Sequence, residues 1–177
     1  MSANGLSRLS EHPGIFVGEM PEARPLNRIL LRQFLAVVDT AGVKRSHFFE
    51  GRYENLYIGL DRVPAAGAVL DRVSAWAAGI LDRDAARLRR GFWFNLMEPG
   101  QRTLPHTHDD ADELLSAVYY IRVPCDSGAL RLRAASGNIV VRPREGVAVL
   151  FPPDLEHEVS ENLSRERRLS IGINIGT

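Results

Sequence analysis

Cysteine is nearly absent. Cys125 stands alone among 177 residues, so no internal disulfide can form. A small buried or half-buried side chain is the reading preferred for it over a reactive thiol. An excess of one charge is also missing, with 22 basic residues against 22 acidic ones. No basic field exists to hold a phosphate backbone, so nucleic acid is not an expected partner. Long apolar runs are lacking too. The most apolar segment, Ile29 to Val38, is interrupted by Arg32 and Gln33 and is far too short to cross a bilayer, so no membrane partner is expected. Met1 to Pro13 holds no apolar stretch of the kind that marks a secretory leader, which points to a cytoplasmic protein. There is no internal repeat or low-complexity run. What remains is an ordinary globular mix, 45% hydrophobic and 25% charged, with length enough for one domain and a sizeable core.

The character of the chain changes near residue 90. Before it, Leu26, Ile29, Leu30, Phe34, Val37 and Val38 form one helical stripe, with Pro25 at its start and Gly42 as a stop. Val69, Val73, Trp76, Ile80 and Leu81 form a second stripe, with charged residues mostly opposite. Phe48 to Ile58, between them, is aromatic and suits an extended or irregular strand. After residue 90 come short runs of β character separated by Gly, Pro and Asp, near 92–98, 114–123, 128–133, 138–142, 146–151 and 168–175. That many strands with no helix between them predict an antiparallel sandwich or barrel, with the two helices on one outer face of a sheet. The expected class is α+β, mainly β, in one domain over 1–177: helical support over 20–90 and a β core over 91–177.

Three of the five histidines lie in the β region, His106, His108 and His157. For His12 and His47 a solvated or locally hydrogen-bonded role is expected. Pro105 to Glu113 is dense in metal-ligating side chains and leads into a strand. In an extended chain residues i and i+2 share a side. Both His106 with His108 and His108 with Asp110 meet that spacing. Adding His157 from a returning strand to the second pair makes two imidazoles and one carboxylate, the ligand set of non-haem Fe(II) oxygenases. An acidic run of this kind is otherwise a solvated loop. The last strand alternates cleanly, Leu169, Ile171, Ile173 and Ile175 one way and Arg168, Ser170, Gly172 and Asn174 the other. A polar, small-residue face inside a barrel lines a pocket. At its mouth Arg168 either grips a carboxylate through its guanidinium fork or lies on a surface edge. One of Tyr119 and Tyr120 points into the pocket and the other packs outside. Asn95, on the face of Trp93, is a further candidate lining residue, and Glu50 to Asn55 a candidate lid segment.

Together these blocks resemble the Fe(II)/2-oxoglutarate-dependent dioxygenase superfamily, and within it the prolyl-4-hydroxylase-like and related bacterial oxygenases. His108 to Asp110 followed by Leu115 to Ile121 is similar to the family's His-x-Asp block and the strand after it. Pro143 to Gly146, Val149 to Pro152 and His157 to Val159 look like its Pro-x-x-Gly, Phe-Pro and distal-histidine blocks. Arg168 to Ile171 looks like its Arg-x-Ser strand. The resemblance implies a double-stranded β-helix (jelly roll) and Fe(II) held by His108, Asp110 and His157. It implies that Arg168 binds the distal carboxylate of 2-oxoglutarate, with help from Tyr120 and Ser170. The implied activity is hydroxylation of an unactivated C–H of a small-molecule or peptide substrate, consuming O2 and 2-oxoglutarate and releasing succinate and CO2. Ala117 departs from the family's usual glycine, and an insertion would instead align His106 with His108 as the ligand pair. His106 is otherwise second to the metal or faces substrate.

Two rivals remain. Gly100, His106, His108 and Glu113 match the first motif of a cupin, whose metal would be held by His106, His108, Glu113 and His157 without 2-oxoglutarate. Tyr120, Asp154 and Glu161 break the cupin pattern, and Arg168 would then have no role. The other rival is a jelly-roll binding module without catalysis.

Overall fold

The computed structural model describes residues 5–10, 12–108, 112–135 and 137–177. Twelve strands and two α-helices lie among them, besides a short 3-10 turn (Ala85–Arg87). In chain order they are β1 (Leu6–Arg8), β2 (Phe16–Glu19), α1 (Ala23–Val37), β3 (Lys44–Phe49), β4 (Arg52–Tyr57), α2 (Ala66–Leu81), β5 (Arg89–Met97), β6 (Thr103–His106), β7 (Glu113–Arg122), β8 (Leu130–Ala134), β9 (Gly137–Val141), β10 (Val147–Phe151), β11 (His157–Val159) and β12 (Arg168–Gly176). Every pairing is antiparallel. A large sheet runs β1-β2-β10-β7-β12-β5-β4-β3, and a small one runs β6-β11-β8-β9. This is the double-stranded β-helix that the resemblance implies.

The period-2 pattern assigns the two faces of the large sheet. On β12, Leu169, Ile171, Ile173 and Ile175 are fully buried on the side where Leu30, Phe34, Val69, Val73 and Trp76 of the helices pack. On β10, Ala148 and Leu150 face the helices, while Val147, Val149 and Phe151 face the small sheet and meet Leu130, Leu132 and Ile139. β10 is therefore buried on both faces, which explains its unbroken apolar run. Each large aliphatic side chain buried this way contributes about 1.5–3 kcal/mol. The helices cover one face of the sheet, as their stripes predict, and the gap between the sheets is left for a site.

Three expectations need correction. The segment over 20–90 is more than helical support. Its 44–57 stretch is a hairpin that joins the large sheet beside β5, with Glu50 and Gly51 at φ 45° and 80° in the two-residue turn. Farther upstream, β1 and β2 extend the same sheet beyond β10. These strands are short and partly exposed, so their period is weak and their partners lie far along the chain. α1 begins two residues ahead of Pro25, at Ala23. Cys125 is exposed rather than buried, because Pro124 to Asp126 turn outward after β7, with Asp126 at φ 58°. No helix among the described residues is long and apolar enough to cross a membrane.

Candidate active site

The three β-region histidines meet at the open end of the gap between the sheets. His106 closes β6 and His157 opens β11, and the two are direct partners across the small sheet. His108 follows two residues after β6, where its backbone N–H donates to Pro153 O at 2.8 Å. Ligand atoms of all three lie within 4.8 Å of one another. Tautomers follow from the neighbours. His106 Nδ1 lies 2.8 Å from Leu104 O, and His157 Nδ1 lies 2.9 Å from Leu155 O. A carbonyl only accepts, so each Nδ1 carries the hydrogen and each Nε2 is left with a free lone pair, the state a metal-ligating imidazole needs. His157 is 7% exposed, with the Phe151 ring at 4.7 Å. Burial, reinforced by His106 and His108, pushes its pKa down from 6.5 to about 3, so it is neutral and able to ligate at ordinary pH.

At the other end of the gap Arg168 is 2% exposed. Its Nη1 donates to Ser127 O at 3.2 Å and Gly128 O at 3.3 Å, and its guanidinium lies 5.1 Å from the centre of the Tyr120 ring. Gly128 sits at φ 89°, and a Cβ there would collide with the Ser160 carbonyl, so only glycine brings this backbone acceptor so close. Among the described residues no carboxylate pairs with Arg168. Burial lowers its pKa, yet a guanidinium stays charged. A buried cation resting on carbonyls and a ring face lacks its anion. The Tyr120 hydroxyl is fully buried without a hydrogen-bond partner, and burial raises its pKa, so it keeps its proton as a donor. The Thr103 hydroxyl on β6 is likewise unpartnered.

One cavity joins the histidines to Arg168. Tyr120, Ser170 and Arg168 line it, as do Trp93 and Asn95. Gly172 gives the Trp93 indole its room, since a Cβ there would overlap the ring. The tyrosine choice is resolved: Tyr119 points the other way, donating from its hydroxyl to Asn27 Oδ1 at 2.6 Å beneath α1. Asp110 lies outside the described residues. Glu113, a ligand in the cupin reading, does not belong to the histidine group, which removes that reading's fourth ligand. His47 is exposed and bonded to Ser46 and Asn55, and His12 accepts from Gly14 N, both local roles as expected. The Glu50–Asn55 segment is the turn and second strand of the hairpin. There Tyr53, Asn55 and Tyr57 face the same way as Trp93 and Asn95, because Leu56 pairs with Phe94. Sequence reasoning missed Thr103 and the carbonyls of Ser127 and Gly128. β6 is too short, and too interrupted by Pro105, to read as a strand, and a backbone acceptor has no residue-type signature.

Three histidine ligand atoms this close together fit a divalent metal such as Fe(II), and Arg168, with no carboxylate partner among the described residues, fits one end of a dicarboxylate beside the Tyr120 hydroxyl. Residues 92–176 match the model of the 2OG-Fe(II) oxygenase superfamily. No curated protein matches the chain. Among solved structures, a Pseudomonas putida prolyl-4-hydroxylase is 22% identical with TM-score 0.75, covering 93% of each chain. A Trichoplax adhaerens prolyl hydroxylase, solved with a peptide fragment of a hypoxia inducible factor oxygen degradation domain, is 14% identical with TM-score 0.74, covering 92% of this chain and 83% of that one. The epimerase SnoN, solved with Fe3+, alpha ketoglutarate and nogalamycin RO, is 15% identical with TM-score 0.71, covering 90% and 78%. At these identities the structures establish the fold.

Proposed function

We propose that the chain is an oxygenase of the 2OG-Fe(II) type whose model residues 92–176 match, that it uses Fe(II) and 2-oxoglutarate as cofactors, and that it hydroxylates an unactivated C–H. The observation that carries this is Arg168, a buried cation with no carboxylate partner among the described residues, lining the same cavity as a histidine cluster. In this reading His108 and His157 hold the ion together with Asp110, and Arg168 takes the distal carboxylate of 2-oxoglutarate. When bound, the ion and 2-oxoglutarate supply the oxidising chemistry, consuming O2 and releasing succinate and CO2.

The chain's own residues bind and orient. The Arg168 fork fixes one end of the oxo acid, and the Tyr120 hydroxyl, with Ser170 beside it on the cavity face, donates to the same carboxylate. Leu130, Phe151 and Val159 line the cavity with apolar surface and would exclude water from a bound ion. Trp93 and Asn95 line the cavity on the side toward the hairpin, whose Tyr53 and Tyr57 face the same way, and these residues would form the substrate side. The relatives include hydroxylases and an epimerase, so the fold leaves the outcome of oxidation to these substrate-side residues. The test is succinate release from 2-oxoglutarate with Fe(II) and ascorbate. It is expected from the unaltered protein and lost in His157→Ala and His108→Ala. No turnover, with or without candidate substrates, while both ligands bind would refute catalysis and leave a binding module.

A further inference from the structure

We propose that Thr103, turned inward by a bulge in β6, is a further donor to the distal carboxylate of 2-oxoglutarate, beside Arg168 and Tyr120. This rests on the reading of the site given above and adds a residue to it.

The bulge comes first. In a regular strand Thr103 and His106, three positions apart, would face opposite ways. Here His106 pairs with His157 and Thr103 with Val159, so three steps along β6 run against two along β11. The extra residue is taken up at Leu104 and Pro105, which are both exposed. Pro105 has no N–H to leave unpaired there. The side chains on either side of the bulge both turn inward, and both line the cavity.

The register then gives the position of Thr103 in that cavity. Thr103, Val159 and Leu130 form one row across the small sheet, and His106, His157 and Leu132 form the next. The rows lie two residues of β8 apart, about 6.5 Å. Leu130 comes two residues after Gly128, whose carbonyl accepts from Arg168. The Thr103 row is therefore on the Arg168 side of the histidine row, offset by a length that a five-carbon oxo acid spans.

The hydroxyl itself has no partner. Thr103 is 6% exposed and its Oγ1 makes no hydrogen bond. Buried hydroxyls are nearly always bonded. Among the described residues Ser74, Thr103, Tyr120 and Ser127 are the exceptions. Of these, Thr103 and Tyr120 line the cavity that holds the histidines and Arg168. A carboxylate offers about four lone-pair sites, enough for both hydroxyls and the guanidinium fork together.

The test is calorimetric titration of two oxo acids into the Co(II)-saturated full chain and its Thr103→Val and Thr103→Ser variants. One acid is 2-oxoglutarate. The other is 2-oxopentanoate, which has a methyl group in place of the distal carboxylate. Thr103→Val keeps the shape of the side chain and removes an unpartnered hydroxyl, so Tm should hold. It should weaken 2-oxoglutarate binding by roughly five- to tenfold and leave 2-oxopentanoate binding unchanged. Thr103→Ser should restore most of the 2-oxoglutarate affinity. Thr103→Ala should repeat the selective loss and serves as a second variant should Val disturb packing. Unchanged 2-oxoglutarate affinity in the Val and Ala variants would overturn the proposal. So would an equal loss for both acids, which would make Thr103 a determinant of cavity shape instead of a carboxylate contact. If the unaltered protein bound Co(II) but not 2-oxoglutarate, the oxygenase reading itself would fall. Tight, Arg168-dependent binding of 2-oxoglutarate that ignores Thr103 would sink this assignment alone.

Discussion

Replacing Arg168 separates anchoring of the oxo acid from metal binding. Arg168 is 2% exposed, donates to two backbone carbonyls, and its guanidinium lies against Tyr120. A carboxylate arriving there would be its only counter-ion among the described residues. Deleting one member of a buried, hydrogen-bonded charge pair costs about 3–5 kcal/mol. At about 1.4 kcal/mol per decade, Arg168→Ala should weaken 2-oxoglutarate binding by roughly two to three and a half orders of magnitude. Arg168→Lys keeps the charge but loses the fork, so about 1–2 kcal/mol, roughly tenfold, should go. Calorimetric titration of 2-oxoglutarate into Co(II)-saturated protein reads both. Thermal unfolding gives a second measure. Ligand at one hundred times Kd stabilises by about 2.7 kcal/mol, which for a chain of this size raises Tm by roughly 5–10 °C. That rise should vanish in Arg168→Ala while the rise caused by Co(II) alone persists. A 2-oxoglutarate affinity within threefold of the unaltered protein's would refute the assignment. A simultaneous loss of the Co(II)-induced rise would show that the substitution had damaged the fold instead.

The two adjacent tyrosines should behave oppositely. Tyr120→Phe removes an unpartnered hydroxyl, so Tm should hold or rise slightly while 2-oxoglutarate affinity falls by about 1 kcal/mol, roughly fivefold. Tyr119→Phe leaves buried Asn27 Oδ1 without its donor, so it should cost about 1–3 kcal/mol of stability and leave 2-oxoglutarate binding unchanged. In the metal-free protein His157 should also make stability depend on pH. Its folded pKa of about 3 lies below the ordinary 6.5, so the unfolded chain takes a proton that the folded chain refuses between those values. Stability should therefore fall as pH drops through that window, by up to about 1.4 kcal/mol per unit from this group, with no contribution above it. Urea unfolding with chelator across that range checks this, and His157→Gln should flatten the slope by about one proton. An unaltered slope would mean that His157 is not held neutral.

How much was legible follows from which interactions are local. β12 alternates by itself, so Arg168, Ser170 and Gly172 could be assigned to a cavity face before any partner strand was known. The pleat is a property of one chain segment, and the apolar half of the alternation is clean. The helical stripes of α1 and α2 are local in the same sense, and they do cover one sheet. His157 was singled out by its Pro-rich surroundings and the family pattern. The side on which Tyr119 or Tyr120 falls could not be read, because both are aromatic in a strand buried on both faces, and the α1 residue Asn27 decides it.

The sequence by itself determined the class of the fold, the cavity-facing half of the last strand, and the set of residue types from which a metal site is built. Tertiary structure alone decided which of them meet. Cross-strand register places His106 directly opposite His157, and the sheet order puts Arg168 on the same cavity with no acid paired to it among the described residues. It also recruited β1 to β4 into the large sheet, and turned Cys125 out to solvent. The physical reason is that strand pairing gains its energy only after distant segments close on one another, so no local period encodes the partner. Periodicity says which way a side chain points, and only the folded register says what it points at.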